Sequence, residues 1–233
     1  MAPAFGATIT VDEDRLKEII KEVIKENPAL LYETLAVYAR EQRTRVLDQQ
    51  LDACFKNRVT DSVSDANPSK GPVHAPITII EYTDFECPYC ARGANTIDTL
   101  IKQYAGNLRL VFKNNPLKIH AQAIPAAKAA LAAGNQGKFW QYHNLLFANN
   151  KELGEQLYLK LARDLKLDLA RFNNDRKSPE IAQQITIDME QAQKLGFNSA
   201  PVFILNGVVV RGSLPLDYFV RVVDRLLKEK KNN

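Results

Sequence analysis

At 233 residues the chain has room for one full domain of roughly 100–150 residues plus an appendage. Its 45% hydrophobic and 25% charged residues are those of a globular protein, not a disordered or fibrous one. The 31 basic and 27 acidic residues leave a formal charge of only +4, with no basic stripe interleaved with aromatics, which argues against nucleic acid as a partner.

Residues 1–7 lack a basic segment followed by a long apolar stretch, so they do not read as a secretory leader. The chain is then either cytosolic or a mature secreted form carrying an added initiating Met. No run approaches the roughly 18 apolar residues of a membrane span. Asp12 or Asp14 suits the N-cap of a first helix whose apolar residues, Leu16, Ile19, Ile20, Val23 and Ile24, fall at helical spacing. Asn27-Pro28 interrupts it and starts another, carrying Leu31, Leu35, Tyr38, Val46, Leu47, Leu51, Cys54 and Phe55. Gln42 breaks that stripe, so no clean coiled coil is expected. Two such helices ahead of any sheet need something to bury their apolar faces, and residues 1–59 read as an oligomerisation arm. Residues 60–76, with Asn67-Pro68 and Lys70-Gly71-Pro72, read as a linker.

The second domain, residues 77–233, opens with a buried β-branched strand over 77–83. A helix starting at Pro88 and ending near Tyr104, and a second strand over 108–112, complete a βαβ unit. Helical patterns follow over 122–133, 139–147, 155–165 and 178–195, the last with Ser178 as N-cap. The strands 202–205 and 208–211 flank Asn206-Gly207, a type I′ hairpin signal, and a helix over 216–228 closes the chain. The order β-α-β, helices, β-β-α is a thioredoxin plan with a helical block, residues 115–195, inserted in it. The fold class is therefore α/β.

The chemistry lies in Cys87-Pro88-Tyr89-Cys90. A free thiol with a pKa near 8.5 is mostly protonated at neutral pH. At a helix N-terminus, unpaired backbone N–H groups and the macrodipole favour the Cys87 thiolate. Cys90, one turn into the helix and more buried, is the resolving thiol. Half of a zinc site is the alternative, but no second Cys pair follows and His74, His120 and His143 show no ligand spacing. No metal or cofactor is expected. Glu81, between apolar neighbours mid-strand, could accept the Cys90 proton with its pKa raised by burial, or could be a solvent-facing strand residue. Asp84 and Glu86 read as electrostatic shapers of the approach. Cys54 reads as a small buried hydrophobe, with an intersubunit disulfide as the alternative. His120 and His143 read as structural, and Trp140 as a core anchor.

Together, residues 80–90, Ala126-Ala127-Lys128-Ala129-Ala130 with Gly137-Lys138-Phe139-Trp140, and residues 196–203 resemble the DsbA family of periplasmic disulfide oxidoreductases. The resemblance implies that Cys87 is the nucleophile, Cys90 its partner, Glu81 a buried acid and Pro201 a cis proline facing the dithiol. Ala200, Pro88 and Tyr89 then contact substrate. The arm resembles that of oligomeric, ScsC-like members of the family. The implied partners are misfolded or reduced envelope proteins, a DsbB-like or DsbD-like membrane redox protein, and further copies of the chain in a dimer or trimer. The implied compartment is the periplasm, with a signal peptide removed. Pro-Tyr replaces the Pro-His of the best-known oxidase, which implies a less oxidising dithiol, and Ala200 replaces a more usual Thr or Val. The expected function is forming or isomerising disulfides in envelope proteins. The competing readings are a glutathione-linked reductase and a redox-capable holdase.

Overall fold

A computed structural model describes residues 12–231, so the reading of residues 1–7 lies outside it. The chain divides into two units, Met1–Gln50 and Leu51–Asn233. In the first, helix α1 (Glu13–Glu26) starts at Asp12, whose carboxylate accepts from Arg15 N at 2.7 Å. It ends at Asn27, whose backbone N–H and side-chain amide both return to Val23 O. Helix α2 (Pro28–Lys56) follows with Pro28 at its first position, where a missing N–H costs nothing. Leu30, Leu31 and Tyr32 are consecutive and all exposed. At 100° per residue they spread around the helix, so its exposed apolar residues extend beyond the interrupted stripe read from the sequence. Leu16, Ile20 and Val23 of α1 are likewise exposed.

The boundary at Gln50/Leu51 falls before the expected residue 59, because Leu51 and Phe55 are buried within the second unit. Arg225 lies 4.0 Å above the Phe55 ring and bonds Asp52.

The second unit is built on a five-stranded sheet of order β1-β3-β2-β4-β5: β1 (Ser69–Lys70), β2 (Ile77–Thr83), β3 (Leu108–Asn114), β4 (Val202–Leu205) and β5 (Val208–Arg211). Strands β2 and β3 run parallel, joined by α3 (Pro88–Gln103), while the other pairs are antiparallel. Helices α4 (Ala123–Gly134), α5 (Phe139–Ala148), α6 (Glu155–Asp164), α7 (Leu169–Asp175) and α8 (Pro179–Lys194) form the inserted block, and α9 (Leu216–Lys231) packs on α3. Ser178 caps α8 as expected, accepting from Ile181 N. Two elements were not foreseen. Strand β1 has only two residues, and α7 is a seven-residue helix capped by Asp168; both are too short to show a period.

Strand β2 is buried almost throughout. Ile80 and Tyr82 join Ala192 of α8 in one core cluster, whereas Cys90, Ala94 and Phe112 belong to another with α4–α8. The Asn206-Gly207 turn has positive φ at both residues, 44° and 90°. Gly207 also meets the backbone, since an added Cβ would lie 2.9 Å from Val59 O.

Residues 58–70 are pinned by buried polar groups and do not hang as a free linker. Lys113, fully buried at the end of β3, donates to Asp61 Oδ2 at 2.8 Å, to Ser62 O, to Tyr82 Oη and to Gln191 Oε1. Asp188 of α8 accepts from Asn114 N, Asn114 Nδ2, Asn67 Nδ2 and Gln184 Nε2 at 2.8–3.1 Å. Breaking a buried ion pair strands the remaining charge in a low-dielectric interior. Asp61→Ala is therefore expected to destabilise the protein by about 3 kcal/mol. Urea unfolding measures this, with exposed Asp217→Ala as the near-neutral control.

Candidate active site

Strand β2 ends at Thr83, and the chain turns through Asp84, Phe85 and Glu86 into α3. Cys87 is the N-cap of that helix, with extended backbone (φ −75°, ψ 121°), and Pro88 occupies the first turn. The first-turn N–H groups of α3 are thus aimed at the Cys87 sulfur. All three cysteines are free thiols.

The two sulfurs of the motif differ sharply. The Cys87 pKa is lowered to about 6, chiefly because the Cys90 thiol donates to its sulfur; the Cys90 and Tyr89 backbone N–H groups add to this. Burial and the charge of Asp84 push the other way. Cys90 has no exposed surface, and burial, together with the negative Cys87, drives its pKa far up. A single backbone donor, Asp84 N, reaches its sulfur at 3.4 Å. Near neutral pH one sulfur is a thiolate and its neighbour a thiol.

Opposite Cys87 lies the Ala200-Pro201 segment, joined by a cis peptide bond. The Cys87 thiol lies 3.6 Å from Ala200 O. Asn115 holds the loop by donating to Ser199 O and Phe197 O. Gly93 of α3 makes the approach possible: an added Cβ would stand 2.9 Å from Phe203 Cζ and 3.3 Å from Pro201 Cγ. Pro88 and Tyr89 are exposed beside Cys87, and Arg92 lies 4.4 Å over the Tyr89 ring.

Glu81 is fully buried, and both its carboxyl oxygens lack a hydrogen-bond partner. Its register partners are Phe112 on β3 and Phe203 on β4. Burial among such neighbours raises its pKa to about 8, opposed by Lys70 and aided by Asp98. At neutral pH it is mainly a neutral acid on the side of the sheet where Phe112 packs with Cys90. The solvent-facing alternative does not hold.

Three residues serve differently from the sequence expectation. Asp84, also buried, accepts from Glu86 N on one oxygen, and from Leu117 N and His120 Nδ1 on the other, at 2.7–2.8 Å. Glu86 accepts from Gln122 N at the start of α4, a favourable place for a carboxylate. Both acids clamp the active-site turn to the segment after β3. His120 stands on Asp84 beside the dithiol. It lies 33 residues from Cys87 in a loop without a motif, so no sequence signal places it there.

The remaining candidates lie outside the site. His143 is buried among Phe85, Phe112, Phe139, Trp140 and Phe147. Burial lowers its pKa to about 4, so it is neutral. Trp140 is only partly buried; it ties down β1 through its indole N–H on Ser69 O and the Lys70 ammonium over its ring. Cys54 is half-buried beside Tyr218 of α9. Among the described residues no group of three His, Cys, Asp or Glu side chains could hold a metal ion.

A family profile described as Thioredoxin matches residues 64–225. The chain belongs to the thioredoxin family. A thioredoxin-like oxidoreductase from Silicibacter pomeroyi DSS-3 shares 31% identity, with 71% of this chain and 94% of that one superposed at a TM-score of 0.63. The thiol-disulfide exchange protein alpha-DsbA2 of Wolbachia pipientis (22% identity, 81% and 98% covered, TM-score 0.64) shares the fold. So does Proteus mirabilis ScsC in a transitional conformation (18% identity, 94% and 98% covered, TM-score 0.63). This is the thioredoxin fold with a helical insertion, as in DsbA-like and ScsC-like proteins. A Na(+)/H(+) antiporter NhaA 1 of Salinispora arenicola is 38% identical over 154 residues, or 66% of this chain and 24% of that protein. The chain thus spans about a quarter of the length of the curated relatives it matches.

For this thioredoxin-family site, the raised Glu81 pKa fixes the sign of a pH effect. Folding favours the protonated acid, so stability is full below about pH 4.5 and is lost as pH rises through about 8. Glu81→Gln cannot ionise. It is expected to be more stable than the parent at pH 9, by about 3–5 kcal/mol, with the gain vanishing near pH 4.5. Chemical denaturation at the two pH values measures the difference.

Proposed function

We propose that this protein is a thiol–disulfide oxidoreductase that forms or isomerises disulfides in envelope proteins through Cys87 and Cys90. The observation that carries the reading is the split between the sulfurs, a Cys87 thiol lowered to about 6 against a Cys90 thiol raised and wholly buried. A dithiol so divided accepts and releases a client at one defined sulfur.

In oxidation, a client thiolate attacks Cys87 of the Cys87–Cys90 disulfide. The new bond joins client and Cys87; the broken bond leaves Cys90 as a thiolate, which takes the proton held by Glu81. Glu81 is fully buried on the Cys90 side of the sheet, with both oxygens free of other hydrogen bonds. A second client thiolate then attacks the client sulfur, expelling Cys87, whose low pKa makes it a good leaving group. Two electrons pass from client dithiol to enzyme. In isomerisation the reduced enzyme starts the cycle instead, with Cys87 attacking a wrong client disulfide.

Ala200 O, beside the Cys87 sulfur, marks where the backbone of an extended client would align, with Tyr89 flanking it. The likeness to DsbA-like proteins supports the same assignment and a periplasmic setting, with a DsbB-like or DsbD-like membrane protein resetting the dithiol. The exposed apolar residues of Met1–Gln50 support an oligomerisation arm, since each aliphatic side chain buried is worth roughly 1.5–3 kcal/mol.

Cys87→Ser should abolish exchange with a peptide disulfide, whereas Cys90→Ser should accumulate mixed disulfides at Cys87, visible on non-reducing gels. Full activity in both variants would remove the assignment. Because Leu51 and Phe55 belong to the second unit's core, the arm is best removed as residues 1–50. That truncation should give a monomer by sedimentation that keeps dithiol oxidation but loses most isomerisation of scrambled ribonuclease, because linked sites hold one client through successive exchanges.

A further inference from the structure

His120 has no assigned part in the exchange chemistry, yet it is built into the dithiol's surroundings. Its Nδ1 lies 2.7 Å from Asp84 Oδ2, and Asp84 is buried with its other oxygen held by Glu86 N. The Asp84 backbone N–H reaches the Cys90 sulfur, so this acid sits directly against the dithiol. A buried carboxylate there works against a thiolate at Cys87. Removing Asp84 would release the clamp on Leu117, so the fold keeps the charge and must offset it.

We propose that His120 is a positioning residue for the dithiol: as an imidazolium bonded to Asp84, it cancels the carboxylate's charge and sets how firmly the reduced site holds Cys87 as thiolate. This rests on the exchange chemistry assigned to Cys87 above, and adds to it a control by pH. The charges acting on His120 are Asp84 and Glu86 from the turn and Cys87 at the start of α3. Lys118, on its own segment, is exposed to solvent. Burial disfavours the imidazolium, but the bond to Asp84 and the three negative charges outweigh it, and the His120 pKa is raised. With His120 protonated, Asp84 is neutralised and the reduced form, with Cys87 as thiolate, is favoured. Once His120 loses its proton, Asp84 stands uncompensated and the dithiol becomes less oxidising.

Linkage makes the effect reciprocal. Two electrons and one proton convert the disulfide into a Cys87 thiolate and a Cys90 thiol, adding one negative charge beside His120. The imidazole must therefore titrate at higher pH in the reduced protein than in the disulfide form.

The test uses the full chain. First, NMR titration of the His120 ring in the reduced and disulfide forms is expected to show a higher midpoint when reduced; equal midpoints would overturn the proposal without any variant. Second, the Cys87 thiolate is followed by its ultraviolet absorbance and by alkylation rate against pH in His120→Gln and His120→Lys. His120→Gln should raise the thiolate midpoint and shift the glutathione equilibrium towards disulfide about three- to tenfold, or about 15–30 mV. His120→Lys, which keeps a cation, should recover part of it. A Gln variant with an unmoved thiolate curve would overturn the proposal. These readouts require only that Cys87 ionises. Were exchange with protein clients absent while the His120 midpoint moved, the functional assignment would fail and this one would stand.

Discussion

The burial of the Cys90 sulfur governs the rest of the site. With no exposed surface and one backbone donor, that sulfur is a far worse place for a negative charge than Cys87, so in the reduced protein ionisation falls to Cys87, three residues earlier at the helix N-terminus. Chain geometry produces this. Strand β2 runs into α3 through a short turn, and Pro88 lets the helix begin at once. Gly93 then lets Phe203 and Pro201 close over the helix. Any side chain there would press on the Phe203 and Pro201 rings, which would have to shift.

The carboxylates around the dithiol show structure and chemistry in conflict. Asp84 and Glu86 anchor the active-site turn to Leu117, His120 and Gln122, three charge-assisted bonds of about 1.5–3 kcal/mol each. The Asp84 charge at the same time opposes the thiolate. The lowering of Cys87 survives because the opposing influences come second to the sulfur's own donors, with the Cys90 thiol foremost. Glu81 resolves a similar conflict differently. Lacking partners and set between Phe112 and Phe203, it stays mostly protonated, and so adds little charge beneath the thiols.

Residues 58–70, near the start of the second unit, owe their order to polar burial, not to apolar content. Residues 58–70 hold few large side chains, yet Asp61, Ser62 and Asn67 satisfy Lys113 and Asp188, which the core encloses. Buried charges need partners, and here the partners come from a stretch whose composition reads as a hinge.

The thioredoxin plan was legible because its signals are local. A β-branched strand, Cys-x-x-Cys with Pro88 in the first turn, the Asn206-Gly207 turn and the Ser178 cap each act within a few residues. The dithiol and its neighbours in the same motif were legible for the same reason. Glu81 could be named from its place in the strand, but which way it faced depended on what packs over the sheet. Strand β1 and helix α7 were hidden because their few residues carry no period. The apolar residues of α2 do not act as one face, since Leu51 and Phe55 belong to a different unit from Leu31 and Leu35. His120 on Asp84, Glu86 on Gln122 and Asp61 on Lys113 were decided by tertiary structure alone. Each joins residues about 35–50 positions apart, where one side chain meets another only after the whole sheet and its insertion have closed.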